Sequence, residues 1–176
     1  MDSILVVFYS YTGVSRRAAQ LIAAHYDWPM GEIRDARLRA GFLGGLRCLL
    51  DSLFRRRPAI RYEGPDPAGF RTVILISPIW AYRMAGPMRS FLAERGARIR
   101  RFAQVTLMNA VGSSQAVAEA QQLIGHPAVL TVEFLSREFE DGTGTAHLLR
   151  FGETLTRVST SSGASDWGKT GGAAHA

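Results

Sequence analysis

Cysteine is nearly absent from this chain: Cys48 is the only one among 176 residues. A lone thiol cannot close an internal disulfide or build a cysteine metal site, and it suits a reducing compartment. Long apolar runs are missing too. No stretch approaches the roughly 20 apolar residues of a membrane-spanning helix. The first apolar run, Ile4 to Phe8, has no basic region before it and is too short and too β-branched for a signal peptide. A cytoplasmic location is expected. Lysine is confined to Lys169, so the net charge of +6 and the pI near 10.2 rest on arginine. The histidines, His25, His126, His147 and His175, include no pair at metal-ligand spacing, so no metal site is expected. A Gly-x-Ser-x-Gly elbow for serine-hydrolase chemistry is lacking as well. No helix-turn-helix, zinc finger or aromatic stacking platform accompanies the positive charge, and nucleic acid is not an expected partner. Any reactive group should therefore be a borrowed cofactor.

What the chain does contain is a hydroxyl-rich turn, Ser10-Tyr11-Thr12-Gly13-Val14-Ser15, between the apolar run ending at Phe8 and an amphipathic helix. The first amides of a helix have no intrahelical partner, and a glycine lets the backbone come close, so such a turn can cradle an anion. The same serines and threonines can serve as ordinary N-caps. The spacing is neither the Walker A loop nor the Gly-x-Gly-x-x-Gly turn of dinucleotide folds. A second segment is as distinctive: Val73 to Ser77 reads as a buried strand, followed by Pro78-Ile79-Trp80-Ala81-Tyr82-Arg83 and a helix with Pro87 near its first position.

Strands and helices alternate five times. Expected strands lie at Ser3 to Ser10, Met30 to Arg34, Val73 to Ser77, Val105 to Asn109 and Val129 to Leu135. The first helix should bury Val14, Ala18, Leu21, Ile22 and His25; the second Phe42, Leu43, Leu46, Leu49, Leu50, Leu53 and Phe54; the third Met88, Phe91 and Leu92; the last Leu148, Phe151, Leu155 and Val158. Glu63 to Pro67 reads as a polar turn. Strands joined by helical crossovers cannot pair as hairpins, so the expectation is an α/β, three-layer, doubly wound sheet of five parallel strands. Its common order, 2-1-3-4-5, opens a crevice beyond the ends of strands one and three, where both distinctive segments lie. Residues 159 to 176 are small and polar apart from Trp167 and are expected to form a flexible tail after a single domain spanning 1 to 158.

The hydroxyl turn resembles the Thr/Ser-x-Thr-Gly-x-Ser/Thr phosphate loop of flavodoxins, and the Pro78 to Pro87 segment resembles the flavin-ring loop of flavodoxin-like quinone reductases. The likeness covers about residues 3 to 158. It implies FMN, with Ser10, Tyr11, Thr12, Gly13, Val14 and Ser15 at the phosphate. Pro78, Ile79, Trp80, Ala81, Tyr82 and Arg83 would frame the ring, and Asn109, Gly112 and Ser113 would close the far side. Chemistry would then reside on FMN rather than on a catalytic side chain. Receiver domains share the topology but need carboxylates at the ends of strands one and three, where this chain has Tyr9-Ser10 and Ser77-Pro78.

One departure bears on the reaction. Flavodoxin carriers are strongly acidic, whereas here the three implied loops lack Asp and Glu and include Arg83, so an anionic reduced flavin would be repelled less. That favours two-electron oxidoreduction, with NAD(P)H as reductant and a quinone or similar acceptor, over one-electron carriage; a partner-binding module with little or no FMN is a third reading. Arg16 and Arg17 oppose the dipole of the first helix, a cost that a bound phosphate would offset. Arg34, Arg37, Arg39, Arg47, Arg55, Arg56, Arg57 and Arg61 surround the second helix. They suit a solvated basic face, a homodimer contact, an anionic membrane surface or an acidic redox protein.

Overall fold

The computed structural model describes residues 3–36, 50–51, 53–80, 82–108 and 114–166. Strand β1 (Ile4–Tyr9) is buried along its whole length, as a central strand covered on both faces must be. Helix α1 (Val14–Tyr26) returns the chain to β2 (Met30–Asp35), and β3 (Ile60–Glu63) follows. Next come β4 (Thr72–Trp80), the short β5 (Arg83–Met84) and α2 (Gly86–Arg95). Then β6 (Phe102–Met108), α3 (Ser114–Ile124), β7 (Leu130–Leu135), the brief α4 (Arg137–Glu140) and α5 (Gly144–Asp166) complete the described chain.

Among the described residues the sheet has seven strands, not five. Its path is β3-β2-β1-β4-β6-β7, with β5 attached to β4. Within it β2-β1-β4-β6-β7 run parallel, while β3 and β5 add the antiparallel pairs that the five-strand expectation lacked. Both omissions have local causes. Ile60 to Glu63 interleaves Arg61 and Glu63 with two apolar residues, so it looked like the flank of a charged helix and turn. It is instead an edge strand whose half-buried residues are Ile60 and Tyr62. The supposed open loop after Ser77 continues as strand to Trp80 and folds back through a two-residue turn, pairing Ile79 with Met84 and Trp80 with Arg83. Tyr82 occupies that turn at φ 62°, in the left-handed region a tight hairpin requires.

Two apolar layers sandwich the sheet. Ile4, Val6 and Phe8 face α1 and α5, while Leu5, Val7 and Tyr9 face α2 and α3, the period-two alternation of a strand. Helix α1 buries Ser15, Ala18, Ala19, Ile22 and Ala23, so its stripe is rotated from the expected one and His25 is exposed. Small residues let α1 lie close to β1, a preference the larger side chains at Leu21 and His25 obscured. At the far end α5 passes Val158, buries Ser159 and continues to Asp166, carrying helix into the segment expected as tail. Trp167 and the rest of that segment lie outside the described residues, as do Cys48, Arg37, Arg39, Arg47, Phe42, Leu43, Leu46 and Leu49.

Helix α2 is buried from Gly86 through Leu92 rather than along one stripe. One side packs on the sheet. Asp51 and residues 53–58 cover another: Ser90 Oγ donates to the Pro58 carbonyl (2.7 Å), and Gly86 leaves just enough room for Asp51 and Pro58. The pin is Arg89, only 2 % exposed. Its guanidinium donates to the carbonyls of Asp51 (3.1 Å), Arg56 (3.2 Å) and Met84 (3.0 Å), and it grips both carboxylate oxygens of Glu119 on α3.

Candidate functional site

The parallel register brings several strand ends to one edge. Phe8 pairs with Ile76, Pro78 with Leu107, and Met108 with Leu135, so the segments leaving β1, β4, β6 and β7 emerge together. Helix α1 and α5 lie on one face, α2 and α3 on the other, so crossovers diverge between β1 and β4. A crevice must open where they part. A cleft of about 200 Å³ lies there, lined by Tyr11, Thr12, Val14 and Ser15 from the first segment and Pro78, Ile79 and Trp80 from the second. Leu107, Met108 and Ser136 complete the lining.

The hydroxyl turn does not cap its helix. Gly13 stands at φ 100°, a conformation that suits glycine, and its N–H donates to Ser10 Oγ (3.0 Å). The first helical bond is from Arg17 N–H to the Gly13 carbonyl (3.0 Å), and no side chain caps α1. Ser10 thus shapes the loop, while the opening amides of α1 and the side chains of Thr12 and Ser15 are left to the cleft. Ser15 is 3 % exposed. An N-terminal set of donors beside an apolar wall is suited to the phosphate end of a mostly flat ligand.

Trp80 forms part of that wall. Its ring meets Tyr11 edge-on at 5.6 Å and Tyr9 edge-on at 6.3 Å. Tyr9 in turn donates its hydroxyl to Asp35 Oδ2 (2.9 Å) at the end of β2. A carboxylate therefore stands behind the aromatic wall although none occurs in the implied loops, a neighbour that only the β1–β2 pairing supplies. Ser136 was missed for the same reason: its N–H donates to the Met108 carbonyl (2.9 Å) across β6 and β7.

Other expected site residues lie elsewhere. Tyr82 is 56 % exposed on the outer turn of the hairpin, and neither it nor Arg83 lines the cleft. Ala81, Asn109, Gly112 and Ser113 lie outside the described residues. Arg16 and Arg17 are engaged away from the loop, Arg16 with Glu32 and Arg17 through Nη1 to the Phe139 carbonyl (3.2 Å). Among the described residues no cluster of side chains could hold a metal ion, and no helix is long and apolar enough to cross a membrane.

Glu32 accepts from both Arg16 and Arg34. Burial acts to raise its pKa, but the two arginine hydrogen bonds and charges together outweigh it and hold the carboxyl below its ordinary value. A depressed folded-state pKa stabilises the fold above the unfolded value of about 4.3 and is lost as pH falls through the folded value. Glu32→Gln should accordingly cost under about 1 kcal/mol near neutral pH, since both arginines are about half exposed. Urea midpoints of parent and variant should converge in acid; a gap that persists there would deny the ion pair its role.

Comparison with solved structures shows a flavodoxin-like fold. A flavoprotein from Lactobacillus acidophilus NCFM, solved in complex with FMN, superposes with a TM-score of 0.66 at 16% identity, covering 80% of this chain and 98% of its own. A flavodoxin from Streptococcus pneumoniae TIGR4 gives 0.55 at 16% identity over 88% and 97% of the two chains. An NAD(P)H:quinone oxidoreductase from Methanothermobacter marburgensis gives 0.50 at 10% identity over 88% and 100%. At such identities the likeness is one of fold. No protein-family profile matches the sequence, and no curated protein matches it.

Proposed function

We propose that this flavodoxin-like chain binds FMN in the cleft beyond β1 and β4 and acts as an oxidoreductase. The observation that carries the reading is the uncapped amino end of α1 opening beside Thr12, Ser15 and the Trp80 wall. The donor set fits a phosphate monoester: backbone amides and hydroxyls, with the helix dipole behind them. Bound FMN would supply the capacity to accept hydride or electrons and pass them on. The chain's part is to hold the phosphate, to set the ring against Trp80, and to keep Trp80 upright through Tyr9 and Tyr11.

The preferred reaction is two-electron transfer from NAD(P)H to a quinone or similar small acceptor. Net charge of +6 supports it, because positive potential favours a reduced, anionic cofactor. Asp35 supports the alternative of a one-electron carrier, since a carboxylate behind the ring wall acts in the opposite direction. The position of Arg83 outside the cleft lining removes one argument for the enzyme and leaves the overall charge as its support.

Titration with FMN should quench tryptophan emission, and Trp80→Phe should remove most of that quenching while leaving phosphate-dependent affinity in place. Steady oxidation of NADH or NADPH by the loaded protein with a benzoquinone then supports the enzyme reading. Loaded protein that oxidises neither, yet exchanges electrons with a redox protein, selects the carrier. Failure to bind FMN at any concentration tried would remove both.

A further inference from the structure

The segment that packs on α2 carries a surface that FMN binding does not explain. Residues 53–57 are all exposed, and two of them are large and apolar: Phe54 at 63 % and Leu53 at 48 %. Arg55 and Arg57 have no carboxylate partner among the described residues; Arg56 stands 5.6 Å over the Phe54 ring and 4.0 Å from Asp51. Tyr82, 56 % exposed, and Arg83 project from the hairpin that ends at Trp80.

These two segments are neighbours. One guanidinium, Arg89, holds the carbonyls of Asp51, Arg56 and Met84 together, which bracket Phe54 on one side and adjoin Tyr82 on the other. Trp80, on the cleft wall, pairs with Arg83 across the hairpin. Apolar side chains and cations thus lie on two segments that one guanidinium ties together, and one of these leads from the cleft wall.

We propose that Leu53, Phe54, Arg55, Arg57, Tyr82 and Arg83 form a surface that seats the protein on an anionic lipid surface. Charge complementarity favours this occupant, and the apolar tips give it something to insert: arginines are drawn to the negative surface while rings and aliphatic chains sink to the headgroup boundary. Tyr82 adds a side chain with an apolar body and a polar tip. The use of such seating, to meet an acceptor dissolved in the bilayer, rests on the FMN reading; the seating itself does not.

Flotation of the full chain with vesicles tests it without any flavin. The protein should float with phosphatidylcholine–phosphatidylglycerol vesicles, stay behind with phosphatidylcholine alone, and be released by salt. Arg55→Glu with Arg57→Glu should lower partition at least about tenfold, given the attraction of each arginine to an anionic surface. Leu53→Ser with Phe54→Ser should lower it several-fold at low salt, and thermal unfolding should be unchanged in both because all four positions are exposed. Absence of flotation with the anionic vesicles would overturn the proposal. So would an unchanged partition in the Leu53/Phe54 variant, which would leave a purely electrostatic face of the kind an acidic protein reads. FMN titration of the same samples separates either failure from failure of the cofactor assignment.

Discussion

Replacing Thr12 by Val and Ser15 by Ala should weaken FMN by roughly a hundredfold while changing riboflavin binding little. The two ligands differ only in the phosphate, so their ratio isolates contacts made to it. Each hydrogen bond to a charged group is worth roughly 1.5 to 3 kcal/mol. Two such bonds amount to at least about 3 kcal/mol, or about two decades in dissociation constant. The amides at the start of α1 remain in the variant, so residual preference for FMN is expected. Ser10→Ala is a useful companion, because Ser10 Oγ accepts from the Gly13 N–H and shapes the turn. It should weaken FMN through loop geometry, by less than the double variant. Equal weakening of FMN and riboflavin in isothermal titrations would remove the phosphate from this loop.

The largest effect on stability is expected at Arg89. Arg89→Met keeps the length of the side chain and removes every donor, leaving the Glu119 carboxylate, 10 % exposed, without its cation and three carbonyls without their hydrogen bonds. Breaking a buried pair from one side typically costs about 3 to 5 kcal/mol. That is a large share of the roughly 5 to 15 kcal/mol that holds a domain together. Urea denaturation should show the loss, and adding Glu119→Leu should recover part of it, since the second change removes the stranded charge. A fall below about 1 kcal/mol for Arg89→Met would mean that Asp51 and Arg56 are not pinned by this guanidinium. Milder Arg89→Lys keeps the charge but not the planar fork, and should fall between parent and Met variant.

Arg89 also marks the limit of pattern reading. Met88, Phe91 and Leu92 give α2 its apolar spacing, and that spacing says nothing of the arginine between them. Asp51, Arg56 and Pro58 turn its side of the helix into interior, and nothing in the helix's own sequence announces a cover supplied by a distant segment. The edge strand β3 escaped notice because four residues with alternating charge carry too little signal to outweigh the arginines before them. The resemblance to a flavin-ring loop implies Tyr82 and Arg83 at the ring, but neither lines the cleft. In a strand, neighbours point to opposite faces, and the hairpin turns Tyr82 outward.

The sequence by itself determined the five parallel strands, the helices α1, α2, α3 and α5 and the two segments at the switch point. Those features are written locally, in continuous apolar runs, helical spacing and glycine placement, each of which acts within a few residues. It also determined that the hydroxyl turn precedes a helix, but not whether the hydroxyls cap that helix or face a ligand. Tertiary structure decided that, through the left-handed Gly13 and the hydrogen bond to Ser10 that leave α1 uncapped. It alone placed Asp35 behind Tyr9 and Trp80, Ser136 beside Met108, and Arg56 near Met84, because each pairing depends on sheet register or on a buried guanidinium linking segments far apart in the chain. Such contacts are cooperative products of packing, and no window of sequence contains both halves of them.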